Sequence, residues 1–156
     1  MCEIDRPTEG VRELFRRSFH SVPPDEPRHF VALLEPSGRP GPETAGYVHF
    51  TQIESSVYLC GGLCVDARLY RTMTAAQRAM VAAVGSLSRW LSVEAIHGLG
   101  QKRAVFAYTG DARSRRDALA IGFVPTEYRH LFVQWHAEAE DRRGALIERI
   151  GALGPF

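Results

Sequence analysis

Nothing narrows the possible folds of this sequence as much as the passage from a strand, through a polar turn, into a long helical pattern. Residues 56–66 form an apolar run of strand character, and Met80, Val81, Val84, Leu87 and Leu91 recur behind it at helical spacing. Between them, Thr74-Ala75-Ala76-Gln77 fits a capping box, in which a hydroxyl and a side-chain amide each satisfy one backbone N–H. The helix is therefore predicted to start near Ala75 and to run to about residue 96, ending at His97-Gly98. A helix opened this way presents unpaired N–H groups and the positive end of its dipole, which suits a diphosphate.

The rest of the chain supplies the partners for that unit. Residues 1–6 read as a short first strand, and residues 8–20 as an amphipathic helix with Val11, Leu14, Phe15 and Phe19 on one face. Residues 21–27 are a break around Pro23-Pro24, residues 29–35 a strand, and residues 36–43 a loop rich in Pro and Gly. Residues 44–53 and 56–66 read as adjacent strands closed by a tight turn at Glu54-Ser55. Residues 104–109 follow as a buried strand, 111–120 as a short helix ending at Gly122, and 123–127 and 129–135 as strands. A last helix over about 138–153 turns Leu146, Ile147 and Ile150 inward, against its own sheet or against a second copy in a homodimer. This order predicts an α+β or mixed α/β sheet, with 156 residues sufficient for one domain spanning 1–156.

Composition excludes several classes of function. A formal net charge of +1 gives no reason to expect nucleic acid or an anionic membrane as partner, and no apolar run reaches membrane-spanning length. The charged N-terminus does not read as a signal peptide, so a cytoplasmic protein with reduced thiols is expected. Cys60 and Cys64 would share one strand face at roughly 13 Å, taking about 3.3 Å per residue, too far for a disulfide or a common metal. No metal site is expected. Gly98-Leu99-Gly100 begins like a dinucleotide fingerprint, but it lacks the third glycine and the preceding strand. Gly61-Gly62 inside a strand marks either a bulge that admits a ligand, a bulge that only bends the sheet, or room for a neighbouring ring.

Several of these residues carry a family resemblance. Ala118-Leu119-Ala120-Ile121-Gly122-Phe123 resembles the helix-to-Gly-Phe turn of the GCN5-related N-acetyltransferases, and Val105-Phe106-Ala107-Tyr108-Thr109 sits where their fifth strand belongs. Arg71-Thr72-Met73-Thr74-Ala75-Ala76 is similar to their diphosphate signature at Arg71 and Ala76, with Thr74 in place of the usual glycine. The resemblance spans residues 30–135. It implies a mixed, mostly antiparallel sheet of about six to seven strands flanked by helices, a core over about 28–136, and an added C-terminal helix.

It also implies a chemistry: transfer of an acyl group, most simply acetyl from acetyl-CoA, to a primary amine of a small molecule or protein in a ternary complex. On that resemblance the backbone of Leu63, Cys64 and Val65 would align the thioester. The diphosphate would meet Arg71, Thr72, Met73, Thr74, Ala75, Ala76 and Gln77, with the Arg71 fork on phosphate oxygens. The family's usual tyrosine acid, four residues before the Gly-Phe glycine, is Ala118 here. Tyr108 and Ser114 are the candidate replacements for that acid, and Glu54, His49 and Asp66 the candidate bases or acceptor-site groups. Thr74 and Ala118 together leave open a second reading, a non-catalytic ligand-sensing or assembly domain of the same fold.

Overall fold

The structure is a computed structural model, and it describes residues 1–25, 27–37 and 40–154. Parts of the break over 21–27 and of the loop over 36–43 therefore lie outside the described residues. The elements run β1 (Cys2–Ile4), α1 (Glu9–Phe19), β2 (Arg28–Leu34), β3 (Glu43–Glu54) and β4 (Val57–Val65). A 3₁₀ turn (Leu69–Thr72) follows, then α2 (Ala75–Val84), α3 (Leu87–Gly98), β5 (Ala104–Tyr108), α4 (Ala112–Ala120), β6 (Val124–Pro125), β7 (Leu131–Trp135) and α5 (Glu140–Gly151).

The strands form one seven-stranded sheet in the order β1-β2-β3-β4-β5-β7-β6, mostly antiparallel, as the resemblance implies. Among the described strands only β4 and β5 run parallel, because the crossover between them carries two helices. On one face α2, α3 and α4 bury Val81, Leu87, Leu91, Ala95 and Ala118 against Phe30, Val48, Phe50, Val105 and Phe132. The other face is divided. There α1 sets Val11, Leu14 and Phe15 on Val31, Tyr47 and Cys64, and α5 sets Leu146 and Ile150 on Val57, Leu59, Phe106 and Val133. The apolar stripe of α5 is thus taken up by its own sheet.

Two expectations need correction. The single long helix is two helices bent by 71°. Gly85 closes α2 at φ +103°, donating its N–H to Val81 and Ala82, and Ser86 opens α3 by accepting from the Arg89 N–H at 3.0 Å. Apolar periodicity continues across the break, so it reads as one helix although the backbone turns. Cys60 and Cys64 do not share a face. Cys60 packs with the α3 side and Cys64 with the α1 side, because one extra residue between them inverts the alternation. Among the described residues no single helix is long and apolar enough to cross a membrane.

Candidate functional site

β4 and β5 are in register from Val57 opposite Ala104 to Cys60 opposite Ala107, and there the pairing stops. β4 continues to Val65 beside β3 alone, while Tyr108 stays with β7 opposite Leu131. The parting begins at Gly61, the extra residue between the pairs Gly62–His49 and Cys60–Phe50. A Cβ on Gly61 would stand 2.2 Å from His49 Nε2, and one on Gly62 3.0 Å from a ring carbon of Phe15. The two glycines therefore make a bulge and also make room for rings pressing from the α1 side.

On their other side both glycines line a cavity of about 450 Å³. Its walls are Cys60 to Leu63 of β4, Ala107, Tyr108 and Thr109 at the end of β5, Ser88, Ser92 and Ile96 of α3, and Ser114, Asp117 and Ala118 of α4. Phe19 at the end of α1 also lines it. The backbone edge of β4 that faces β5 has no ladder partner beyond Cys60 among the described strands, which leaves peptide groups able to pair with a ligand.

The polar groups on this cavity are hydroxyls and carboxylates. Asp117 accepts from the Ser86 and Ser88 hydroxyls at 2.8 and 2.7 Å and from Arg89 at 3.1 Å. Burial works against the charged form, yet these bonds from Ser88, Ser86 and Arg89 hold the carboxyl below the usual range. The start of α3 is thus closed by an internal carboxylate. Thr109 donates its N–H to the His130 carbonyl at 2.9 Å. Its hydroxyl oxygen is buried with no hydrogen-bond partner among the described residues. Burial pushes the Cys60 thiol up to about 12, so it is packing rather than a nucleophile.

The residues singled out by sequence are only partly brought together. Leu63, Tyr108 and Ser114 line the cavity. The Tyr108 hydroxyl, however, donates to the carbonyls of Ile150 and Gly151 at 3.3 and 3.5 Å. The Ser114 hydroxyl donates to Asp111 at 2.6 Å, and Asp111 also caps α4. Val65 packs on the α3 side, and Cys64 faces α1, where burial raises its thiol to about 12. Glu54 lies at the closed end of the β3–β4 pair, ion-paired with Arg103 and with Arg149 at 2.6 Å. His49 lies behind the Gly61 bulge. Asp66 is buried, and Arg17 and Arg68 donate to it at 3.1 and 2.8 Å.

The turn from Arg71 to Gln77 stands apart from this cavity. The capping box is present, with the Gln77 N–H on the Thr74 hydroxyl at 3.2 Å and the Thr74 N–H on Gln77 Oε1 at 2.8 Å. Two of the donors expected to meet a diphosphate are therefore already used. The turn also leans toward β2, through Ser37 N–H to the Thr72 carbonyl and Gln77 Nε2 to the Glu35 carbonyl, each 3.2 Å. Met73 is buried in the core, Arg71 is exposed, and none of Arg71, Thr72, Met73, Thr74, Ala75, Ala76 and Gln77 lines the cavity.

Thr109, Ser88 and Asp117 were not picked out by sequence, because a threonine after a strand and a carboxylate on an exposed helix carry no distinctive spacing. A second group missed as a unit is His29, Tyr47 and His49. His29 Nδ1 lies 2.7 Å from the Tyr47 hydroxyl, and the His49 ring centroid is 5.7 Å from that of Tyr47. Burial, with His29 beside it, lowers His49 to about 4, and burial also lowers His29 and raises Tyr47. Among the described residues no cluster of His, Cys, Asp and Glu is arranged to hold a metal.

No family model and no curated protein matches the chain. Among solved structures it is similar to a protein of Desulfovibrio desulfuricans provisionally assigned as a GNAT-family acetyltransferase. That match has 19% identity and a TM-score of 0.48, over 86% of this chain and 98% of the other. It is also similar to a chain of the KacTA–DNA complex, with 16% identity and a TM-score of 0.42, over 94% of this chain and 87% of the other.

Proposed function

We propose that the chain is an acyltransferase that moves an acyl group, acetyl in the simplest case, from coenzyme A to a primary amine of a small molecule or protein. The observation that carries this reading is the parting of β4 and β5 after Cys60, with a largely apolar cavity of about 450 Å³ lined by both strand ends. A pantetheine arm is a narrow chain with two amides. It needs such a slot and a free strand edge to pair with, and Gly61, Gly62 and Leu63 supply that edge.

In the proposed reaction a neutral amine attacks the thioester carbonyl, the new C–N bond forms, and the C–S bond breaks. The amine loses one proton and the departing thiolate gains one. With the Tyr108 and Ser114 hydroxyls engaged elsewhere, the chain's contribution is chiefly to hold donor and acceptor in line. Thr109, whose buried hydroxyl has no partner among the described residues, is the polar side chain assigned to the arm.

The test is calorimetric titration with acetyl-CoA, followed by thiol release across a panel of amines. Binding abolished by Leu63→Trp in a folded variant is the expected result; no binding at millimolar cofactor removes the reading. A second reading, a sensing domain that binds without turnover, is favoured by the closure of the α3 start with Asp117 and by the committed donors at Thr74 and Gln77. Tight binding with no thiol release from any amine would select it.

A further inference from the structure

A second cleft, of about 480 Å³, lies behind the first on the other side of α3. Arg89, Val93, Ile96 and His97 line it from α3, at the spacing of one helix face. Lys102, from the loop before β5, and Gln134 and His136, at the end of β7, close it. Among the described residues no carboxylate lines this cleft, whereas four side chains that carry or can take positive charge do. The contrast with the first cavity, whose polar groups are hydroxyls and carboxylates, is sharp.

The cations are also left with unused donors. Arg89 spends its two terminal nitrogens on Asp117 at 3.1 Å and the Val84 carbonyl at 3.2 Å, while its Nε is buried with no partner among the described residues. Lys102 donates to the Gly100 carbonyl at 3.1 Å and has no ion pair among the described residues. His136 Nε2 lies 3.2 Å from Gln134 Oε1, and burial, with a smaller contribution from Lys102, lowers its pKa. The two cavities share the side chains of Ile96 and Ile121. The Arg89–Asp117 pair spans the wall, one partner on each side.

We propose that this cleft binds the phosphates of a small molecule carrying two or more of them, held by Lys102, Arg89, His97 and His136. A lone carboxylate would meet one of these groups, whereas charge spread along a diphosphate or bisphosphate meets several, and ammonium and imidazolium groups are suited to phosphate as point charges. The same chemistry has two sources: the phosphates of a coenzyme whose arm lies in the neighbouring cavity, or a separate nucleotide-like effector. The proposal does not rest on the acyltransferase reading.

The experiment is calorimetric titration of the whole chain with pyrophosphate and with adenosine 3′,5′-bisphosphate at two salt concentrations, alongside NMR of the histidine ring protons. Both probes are expected to bind, more weakly at higher salt, with the His97 and His136 resonances moving and that of His49 still. Lys102→Glu should weaken binding about tenfold or more, and Lys102→Gln by a smaller factor, with melting temperatures unchanged. Displacement of the bisphosphate by acetyl-CoA would support the coenzyme as source, and additive binding a separate effector. No binding at millimolar probe, or equal binding to both Lys102 variants and the parent, overturns the proposal. Acetyl-CoA binding with no response at His97, His136 or Lys102 would exclude the coenzyme as the source of the phosphates, while sparing the acyltransferase reading.

Discussion

Gly61 and His49 compete for the same few ångströms, and that conflict sets the shape of the site. With the Gly61 Cβ position 2.2 Å from the His49 ring nitrogen, Gly61→Ala is expected to destabilise the protein by about 1–3 kcal/mol, read from urea denaturation. In a His49→Ala background the same substitution should cost markedly less, and the double-mutant cycle measures the coupling. An undiminished cost would mean that the backbone, not the ring, requires glycine. This site was half legible: a Gly-Gly pair within a strand signals a bulge or a close approach. The ring that fills the space comes from β3, across the sheet, and no local pattern names it. Tyr108 and Ser114 show the converse. Both lie on the cavity as their positions suggest, but their hydroxyls serve Ile150, Gly151 and Asp111, partners that depend on where α5 and the α4 cap fall.

At the scale of elements, the crossover from β4 to β5 was read correctly at its start and wrongly in its middle. Thr74 and Gln77 form the box their spacing predicts, and Thr74→Ala should lower stability by about 1 kcal/mol in thermal unfolding. The break was written in Gly85-Ser86, a left-handed stop followed by an N-cap, but the apolar repeat on either side concealed it. Gly85 sits at φ +103° with Arg89 against its missing Cβ, so Gly85→Ala is expected to cost about 1–3 kcal/mol by guanidinium titration. A cost near zero would mean that the two helices can straighten into one. The bend is also why the start of α2 lies toward β2 while α3 flanks the opening between β4 and β5. A pattern that reads as one continuous helix cannot reveal this division of labour.

For the whole molecule, pH is the most telling variable. His49, at about 4 when folded, has an unfolded value near 6.5, so between these limits the unfolded chain binds more protons. Stability is therefore full above about pH 6.5 and falls as the medium is acidified toward 4, by an amount on the order of 3 kcal/mol for this group. His29, also lowered, adds in the same direction. Urea midpoints across that window check the sign, and His49→Gln should flatten the slope. The strand segments were legible from apolar alternation, which is local, and the mostly antiparallel sheet from the family resemblance; the strand order and the electrostatics were not, since their partners meet only after folding. The parallel run from Val57 to Cys60 and from Ala104 to Ala107 carries one further implication. Among the described residues it is the one ladder joining the strands of residues 2–65 to those of residues 104–135, so a guest lodged just beyond its end touches both sides at once. Such a guest would act as a rivet, and prising the two leaves apart would first require its ejection.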